Sequence, residues 1–299
     1  MIDSLTPATR LPQPDPDQAQ AVAHAEGRVT LELLRTLGDD DWTRPTDCTD
    51  WDVRALVAHL VAQCQDGLHL GSVLRRELLG RCRYPDKSPL DGYMAVGVDD
   101  HRAASGPQLV ERFASLWPRA ARARRRRPAA LRRITLDPGI PGQPRWHLDY
   151  LLDVIYNRDL WMHRVDLARA TGRPFVLGDH DRQIVAPVVG DLARGWSSVP
   201  VPVALELTGP AGGGWLLGSG DPVAVVRAEA VAYMRALAGR DERWRWSWSL
   251  GRRPRSPHPP GPSRLLIAGG YAFDCCKALR QISTHANCTN PNRMSARRS

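Results

Sequence analysis

Residues 148–172 read LDYLLDVIYNRDLWMHRVDLARATG and repeat their apolar positions at helical spacing. The spacing predicts one helix from about Leu148 to Thr171, and Gly172 followed by Pro174 ends it. One face of this helix carries eight side chains: Leu152, Ile155, Tyr156, Asp159, Met162, His163, Asp166 and Ala170. Titratable groups therefore interrupt an otherwise apolar stripe, which favours a polar site inside a helical core.

Two of these groups, Asp159 and His163, are four residues apart, so their side chains lie about one turn apart and within reach of one ion. Carboxylate and neutral imidazole are ligands that suit zinc and other first-row divalent metals. A third ligand must come from another helix, and His59 beside an apolar stripe is the best candidate. The alternatives are a buried Asp159–His163 hydrogen bond without metal and a hydrogen-bonded core histidine at position 59.

Asp166 has two interpretations. It either holds an imidazole in place behind the metal ligands or forms a salt bridge with Arg164 or Arg169. The opposite face of this helix, which carries Arg158, Arg164 and Arg169, is predicted to be solvated.

Further helices precede this one. The patterns predict helices from about Gln18 to Leu37, from a cap at Thr49 onward, from about Leu68 to Cys82, and around Phe113. A loop rich in Pro, Gly and Asp is predicted between the last two. The N-terminal part of the chain is therefore expected to be a helical bundle.

A small α+β unit is predicted to follow. Val201–Thr208 and Trp215–Leu217 have the pattern of two strands, with a turn between them. Asp221 and Pro222 favour a helix start there, and the helix would end at Gly239. Arg243–Leu250 alternates Trp with Arg or Ser, which allows one more strand.

The predicted domain organisation has four parts. These are a disordered segment over residues 1–17, a metal-binding four-helix bundle over 18–174, a small α+β domain over 175–242, and a poorly ordered basic tail over 243–299 that is rich in Pro, Arg and Trp. The fold class is therefore mainly α with a small α+β part.

The net charge of +9 does not favour nucleic-acid binding by the body of the chain. Residues 243–299 contain 11 Lys and Arg but one acidic residue, and the rest of the chain contains 30 basic and 31 acidic residues. No run of about 20 apolar residues is present, so no membrane span is expected. The N-terminus lacks a signal-peptide layout and the six cysteines form no spaced framework, so a cytoplasmic location is expected.

Two stretches resemble the mycothiol-dependent maleylpyruvate isomerase family of the DinB-like superfamily. They are WTRPTDCTDWDVR at residues 42–54, continuing to His59, and RDLWMHRVDL at residues 158–167. The resemblance extends over about residues 18–240. It implies a DinB-like four-helix bundle in which His59, Asp159 and His163 bind zinc. The family's isomerases carry Glu at the position of Asp159, so the shorter Asp requires its helix to approach the metal more closely.

The resemblance also implies a function. The chain is expected to be a thiol-dependent isomerase or S-transferase with a divalent metal, zinc first, and a low-molecular-weight thiol such as mycothiol as cofactors. The thiolate would add to an electrophilic small-molecule substrate. The alternatives are a metal-binding or regulatory module without turnover, an iron oxygenase with two His and one carboxylate, and nucleic-acid binding through the tail.

Overall fold

The computed structural model describes residues 5–136, 145–195, 202–240 and 247–250. The chain divides into two compact units, one within residues 14–176 and the other drawn from residues 1–13 and 177–286. Helices dominate the described residues, and a five-stranded sheet lies in the second unit. The predicted fold class, mainly α with a small α+β part, is confirmed.

The described helices are α1 Pro16–Leu34, α2 Val53–Leu68, α3 Leu70–Arg83, α4 Pro89–Asp99, α5 Gly106–Arg125, α6 Ala129–Arg132, α7 Leu148–Tyr150, α8 Tyr156–Thr171, α9 Asp181–Gly195 and α10 Ala230–Leu237. The described strands are β1 Thr6–Pro7, β2 Thr135–Leu136, β3 Trp146–His147, β4 Val203–Thr208, β5 Gly213–Leu217, β6 Ala224–Glu229 and β7 Ser247–Leu250. Among these helices, none is long and apolar enough to cross a lipid bilayer.

The first unit is the predicted four-helix bundle. Helix α1 packs against α5 and α8, and α2 packs against the same two helices. Its core is built from fully buried apolar residues of these helices, including Leu34, Leu56, Leu60, Leu109, Phe113, Leu160 and Leu167. Burial of this apolar surface is the main force that holds the four helices together.

One long helical segment carries the polar face that the sequence predicts. Helix α7 continues into α8 through a π-helical turn at Leu151–Ile155. Gly172 ends α8 with φ of 67°, a left-handed conformation in which glycine is favoured because it lacks a Cβ atom.

Two sequence predictions for the helices are wrong. The N-cap of α2 is Asp52, whose side chain accepts from the N–H of Ala55, and not Thr49. Helix α4 lies where a loop was predicted, with Ser88 as its N-cap. Glycine suggested a loop there, but Gly92 serves close packing, because a Cβ atom on it would lie 3.0 Å from the carbonyl oxygen of Gly80 on α3.

The sheet of the second unit has the strand order β1-β5-β4-β6-β7. The hairpin of β4 and β5 is antiparallel, as the sequence predicted, whereas β6 runs parallel to β4. The helix start predicted at Asp221 is wrong, because the segment after it pairs with β4 as a strand and α10 begins at Ala230, capped by Glu229. Strand β7 pairs with β6 and lies within the predicted strand Arg243–Leu250.

The predicted disorder of residues 1–17 is wrong for the described residues of that segment. Thr6 and Pro7 pair in parallel with Trp215 and Leu216 at the edge of the sheet. Proline is tolerated there because an edge strand can leave one side without ladder hydrogen bonds. The predicted tail, apart from Ser247–Leu250, lies outside the described residues.

Candidate metal centre

Helices α2 and α8 bring three buried polar side chains together in the core of the bundle. His59 lies on the buried face of α2, with 5% of its surface exposed. Asp159 and His163 lie one turn apart on α8, with 8% and 2% exposed. The structure therefore brings together the three residues that the sequence predicted as ligands.

The donor atoms of these residues point at one another. The Oδ2 atom of Asp159 lies 3.3 Å from Nε2 of His59 and 3.4 Å from Nε2 of His163. One donor atom from each of the three residues lies within 4.8 Å of the other two. Metal–ligand bonds of zinc place neighbouring ligands of a tetrahedron roughly 3.3–3.4 Å apart. The two distances from Asp159, together with the N,N,O donor set, therefore fit a zinc-type divalent metal.

Burial and nearby charges give the two imidazoles different protonation states. Burial lowers the pKa of His59, against the opposing effect of Asp159. Burial alone would also lower the pKa of His163, but the charge of Asp159 and the hydrogen bond to Asp166 raise it to about 10. Burial by itself would raise the pKa of Asp159, yet the charge of His163 and the hydrogen bond with His59 hold it below its usual range. Without metal, the cluster therefore contains a His163–Asp159 ion pair beside a neutral His59.

Two further side chains contact the ring nitrogen of His163 that faces away from Asp159. Its Nδ1 atom lies 3.1 Å from Oδ2 of Asp166, which is fully buried. The thiol of Cys48 lies 3.9 Å from the same Nδ1 and 3.8 Å from the carboxylate of Asp166. A carboxylate on one ring nitrogen fixes the tautomer that presents the other nitrogen to a metal. Asp166 therefore contacts an imidazole, as the first of its two predicted interpretations requires, and the metal in that interpretation stays a prediction.

Two arginines of this helix have carboxylate partners on other segments of the chain. Arg169 contacts Asp47, at 3.0 Å, and is exposed as predicted. Arg164 was predicted to be solvated, and this is wrong. Its guanidinium is buried, with 2% of the residue exposed, and donates to the carboxylate of Glu26 at 2.7 Å. Glu26 of α1 and the backbone carbonyl of Val176 cover this part of α8.

The loop before α2 contributes one wall of the site. It is closed by a β-bridge between Pro45 and Asp52, and Thr46 donates its hydroxyl to the carbonyl of Trp51 at 2.8 Å. This geometry turns the half-buried Trp51 toward the site, where its ring centre lies 4.8 Å from that of His59. The indole therefore shields the imidazoles from water.

Sequence reasoning missed one residue at the centre of the cluster. The side-chain amide nitrogen of Gln63 lies 3.1 Å from Nε2 of His59 and donates a hydrogen bond to Oδ2 of Asp159. Gln63 follows His59 by four residues, so the helical spacing that paired Asp159 with His163 would also have found it. Sequence reasoning also missed Cys48, because no pattern in the sequence indicates its contact with His163.

The fold and the site together define a class, namely a helical bundle with a buried cluster of two histidines and one carboxylate in its core. Residues 23–168 match the family model described as the mycothiol maleylpyruvate isomerase N-terminal domain. Most of the helical unit is therefore similar to that domain family.

Comparison with solved structures agrees at the level of the fold. Crystal structures of the mycothiol-dependent maleylpyruvate isomerase, one unaltered and one with a histidine replaced by alanine, each match with a TM-score of 0.51 and 16% sequence identity. Each match covers 85% of this chain and 99% of the other. No curated protein matches the chain significantly.

Proposed function

We propose that this protein binds one divalent metal of zinc type through His59, Asp159 and His163, and that it is a thiol-dependent isomerase or S-transferase. One observation carries the proposal: three buried donor atoms from two helices lie close together in the core. The distances from the Asp159 oxygen to the two histidine nitrogens equal those between neighbouring zinc ligands. Facing helices of a bundle core commonly supply metal ligands in this way, which supports a cation between the three groups.

Each residue of the site has a definite part in this proposal. His59 offers a neutral nitrogen, Asp159 supplies the negative charge that a cation requires, and Asp166 orients the ring of His163. A bound divalent metal would supply stabilisation of a thiol as its thiolate, the nucleophilic form. Trp51 excludes water from the two imidazoles.

The proposed reaction follows from the enzyme that the matching structures contain. The thiol sulfur adds to a carbon–carbon double bond of the substrate, the resulting single bond rotates, and the carbon–sulfur bond then breaks to return the thiol. In an S-transferase, the carbon–sulfur bond formed with an electrophile would persist instead. The thiol proposed is mycothiol or a similar low-molecular-weight thiol.

The alternative is a metal-binding module without turnover, and the position of Gln63 favours it. A catalytic zinc site keeps a coordination position for substrate, whereas a structural site is closed by four protein ligands. The Gln63 amide lies beside two of the three donors, where a fourth ligand would be found.

The test is metal content, measured by mass spectrometry on protein purified without chelator and then offered zinc. We expect about one equivalent in the parent and none in a His59→Ala, His163→Ala double variant, because two of three ligands are gone. A His24→Ala variant is the control, since His24 lies on α1 and contacts Gln20 instead of the site. A parent that holds no metal would overturn the proposal.

Activity distinguishes the two functions once metal is established. Metal-loaded parent and the double variant would be assayed for isomerisation of maleylpyruvate with and without mycothiol. Thiol-dependent turnover that the double variant lacks supports the enzyme. Metal binding without turnover on this substrate or on electrophilic thiol acceptors supports the module.

A further inference from the structure

A second feature of α2 bears on how the proposed metal is held. Gln63 lies one helical turn beyond His59, and its amide nitrogen contacts two of the proposed ligands. Its separation from Nε2 of His59, 3.1 Å, is close to the 3.3 Å between His59 and Asp159. The end of this side chain therefore lies at about a ligand–ligand distance from His59 and in direct hydrogen-bond contact with Asp159, so it stands beside two of the three proposed ligands.

The two ends of the amide have opposite chemistry. The NH₂ group donates hydrogen bonds and cannot bind a cation, whereas the carbonyl oxygen Oε1 is a ligand for divalent metals. In the metal-free arrangement the NH₂ group faces the Asp159 carboxylate, as charge requires. The Oε1 atom is then buried and has no hydrogen-bond partner in the described part of the chain.

A buried carbonyl without a partner is unusual in a folded protein and calls for an explanation. Rotation of the amide by half a turn exchanges Oε1 with the NH₂ group at little steric cost, because the two groups have nearly the same size. With a cation between the imidazoles and the carboxylate, the rotated amide would direct oxygen at the cation. The same side chain thus satisfies the site in both states.

We propose that Gln63 is the fourth protein ligand of the metal through Oε1, and that its amide reverses when the metal binds. This inference rests on the proposed function, because it requires the three-residue site. The complete donor set is two nitrogens and two oxygens. A thiol that reaches the metal then either displaces Gln63 or adds as a fifth ligand, and five-coordination is known for catalytic zinc.

The test compares metal binding by the parent with binding by Gln63→Ala and Gln63→Glu variants. Zinc affinity is measured by competition with a chromogenic chelator, and cobalt(II) is added separately so that its visible absorption reports the ligands. We expect Gln63→Ala to weaken zinc binding at least about tenfold and to change the cobalt spectrum, because water replaces a protein oxygen. Gln63→Glu should bind at least as tightly as the parent, because it places an anionic oxygen at the same position.

Gln20→Ala is the matched control. Gln20 contacts Nε2 of His24 on α1 at 3.1 Å, the same distance as between Gln63 and His59, but Gln20 precedes its histidine by four residues and lies away from the site. This variant should bind zinc as the parent does. Circular dichroism of each metal-free variant establishes that the bundle is folded.

The outcomes separate the two proposals. Equal or tighter zinc binding by a folded Gln63→Ala variant, with an unchanged cobalt spectrum, would overturn the role of Gln63 and leave the three-residue site standing. If the parent and Gln63→Glu both fail to bind zinc or cobalt, the metal site itself is wrong.

Discussion

The Nδ1 atom of His163 lies 3.1 Å from the Oδ2 atom of Asp166, and both residues are almost completely buried. This contact leaves Nε2 of His163 free to face Asp159, at 3.4 Å. The carboxylate thus fixes which nitrogen of the ring is presented to the proposed metal. It also makes that nitrogen a stronger ligand, because a negative charge behind the ring increases its basicity.

Replacement of Asp166 tests this arrangement. We expect Asp166→Asn to weaken zinc binding by about 10–100-fold, the usual effect of losing an outer carboxylate. The substitution keeps the size of the side chain and removes its charge, so the bundle should still fold. Affinity is measured by chelator competition. Asp47→Asn is the control, because Asp47 pairs with the exposed Arg169. Equal affinity in the Asp166 variant and the parent would argue against an orienting role.

The charge of the cluster predicts how metal binding depends on pH. In the metal-free protein, Asp159 and Asp166 raise the pKa of His163 to about 10. Zinc must displace this proton, so its affinity should rise with pH by about tenfold per unit below that value. Calorimetric titration in two buffers with different ionisation enthalpies measures the proton released. Release of less than half a proton at pH 7 would contradict the prediction.

The same pKa predicts the stability of the metal-free protein. The pKa of His163 is higher in the folded protein than its ordinary value of 6.5, so its contribution to stability is complete below pH 6.5 and is lost as the pH rises through about 10. We expect the Tm measured with chelator to fall between pH 7 and pH 10. A His163→Gln variant should show a smaller fall. Equal slopes for the two proteins would show that His163 is not the titrating group.

The buried pair of Glu26 and Arg164 gives a prediction about the bundle without reference to metal. Glu26→Gln leaves the guanidinium facing a neutral amide and should destabilise the protein by about 3–5 kcal/mol. Urea denaturation of chelator-treated protein measures the difference. The control is Glu32→Gln, where the pair with Arg28 is exposed and a change of about 0.5 kcal/mol or less is expected. Similar values for the two variants would mean that Arg164 is stabilised mainly by other contacts.

The sequence predicted those site residues whose relative positions are set by a single helix. Asp159 and His163 could be paired because residues four apart share a helical face whatever surrounds them. His59 required one further assumption, that α2 packs against α8, and the apolar stripe around it supported that assumption. Gln63 obeys the same rule, because it follows His59 by four residues on α2.

Features that depend on distant contacts could not be predicted in this way. Cys48 and Trp51 reach the histidines because a hydrogen-bonded loop turns them inward, and no periodic pattern describes such a loop. Arg164 is buried because Glu26 faces it from α1, 138 residues away in sequence. Asp221 and Pro222 favour a helix start locally, but the segment that follows them forms strand β6 and pairs with β4. Local propensity is a weak guide where tertiary pairing competes with it.

The contact of α1 with α5 predicts the effect of adding a single methyl group. A Cβ atom on Gly27 would lie 2.0 Å from the indole of Trp117, whose ring nitrogen donates to the carbonyl of Ala23 at 2.7 Å. That hydrogen bond holds the ring against α1, so Gly27→Ala should destabilise the protein by about 1–3 kcal/mol through overpacking. Gly71→Ala is the control on α3, because nothing lies within 4 Å of its added Cβ and a gain of about 0.5 kcal/mol is expected. Urea denaturation of both variants should therefore give changes of opposite sign, and a Gly27→Ala variant as stable as the parent would mean that Trp117 can move away from α1.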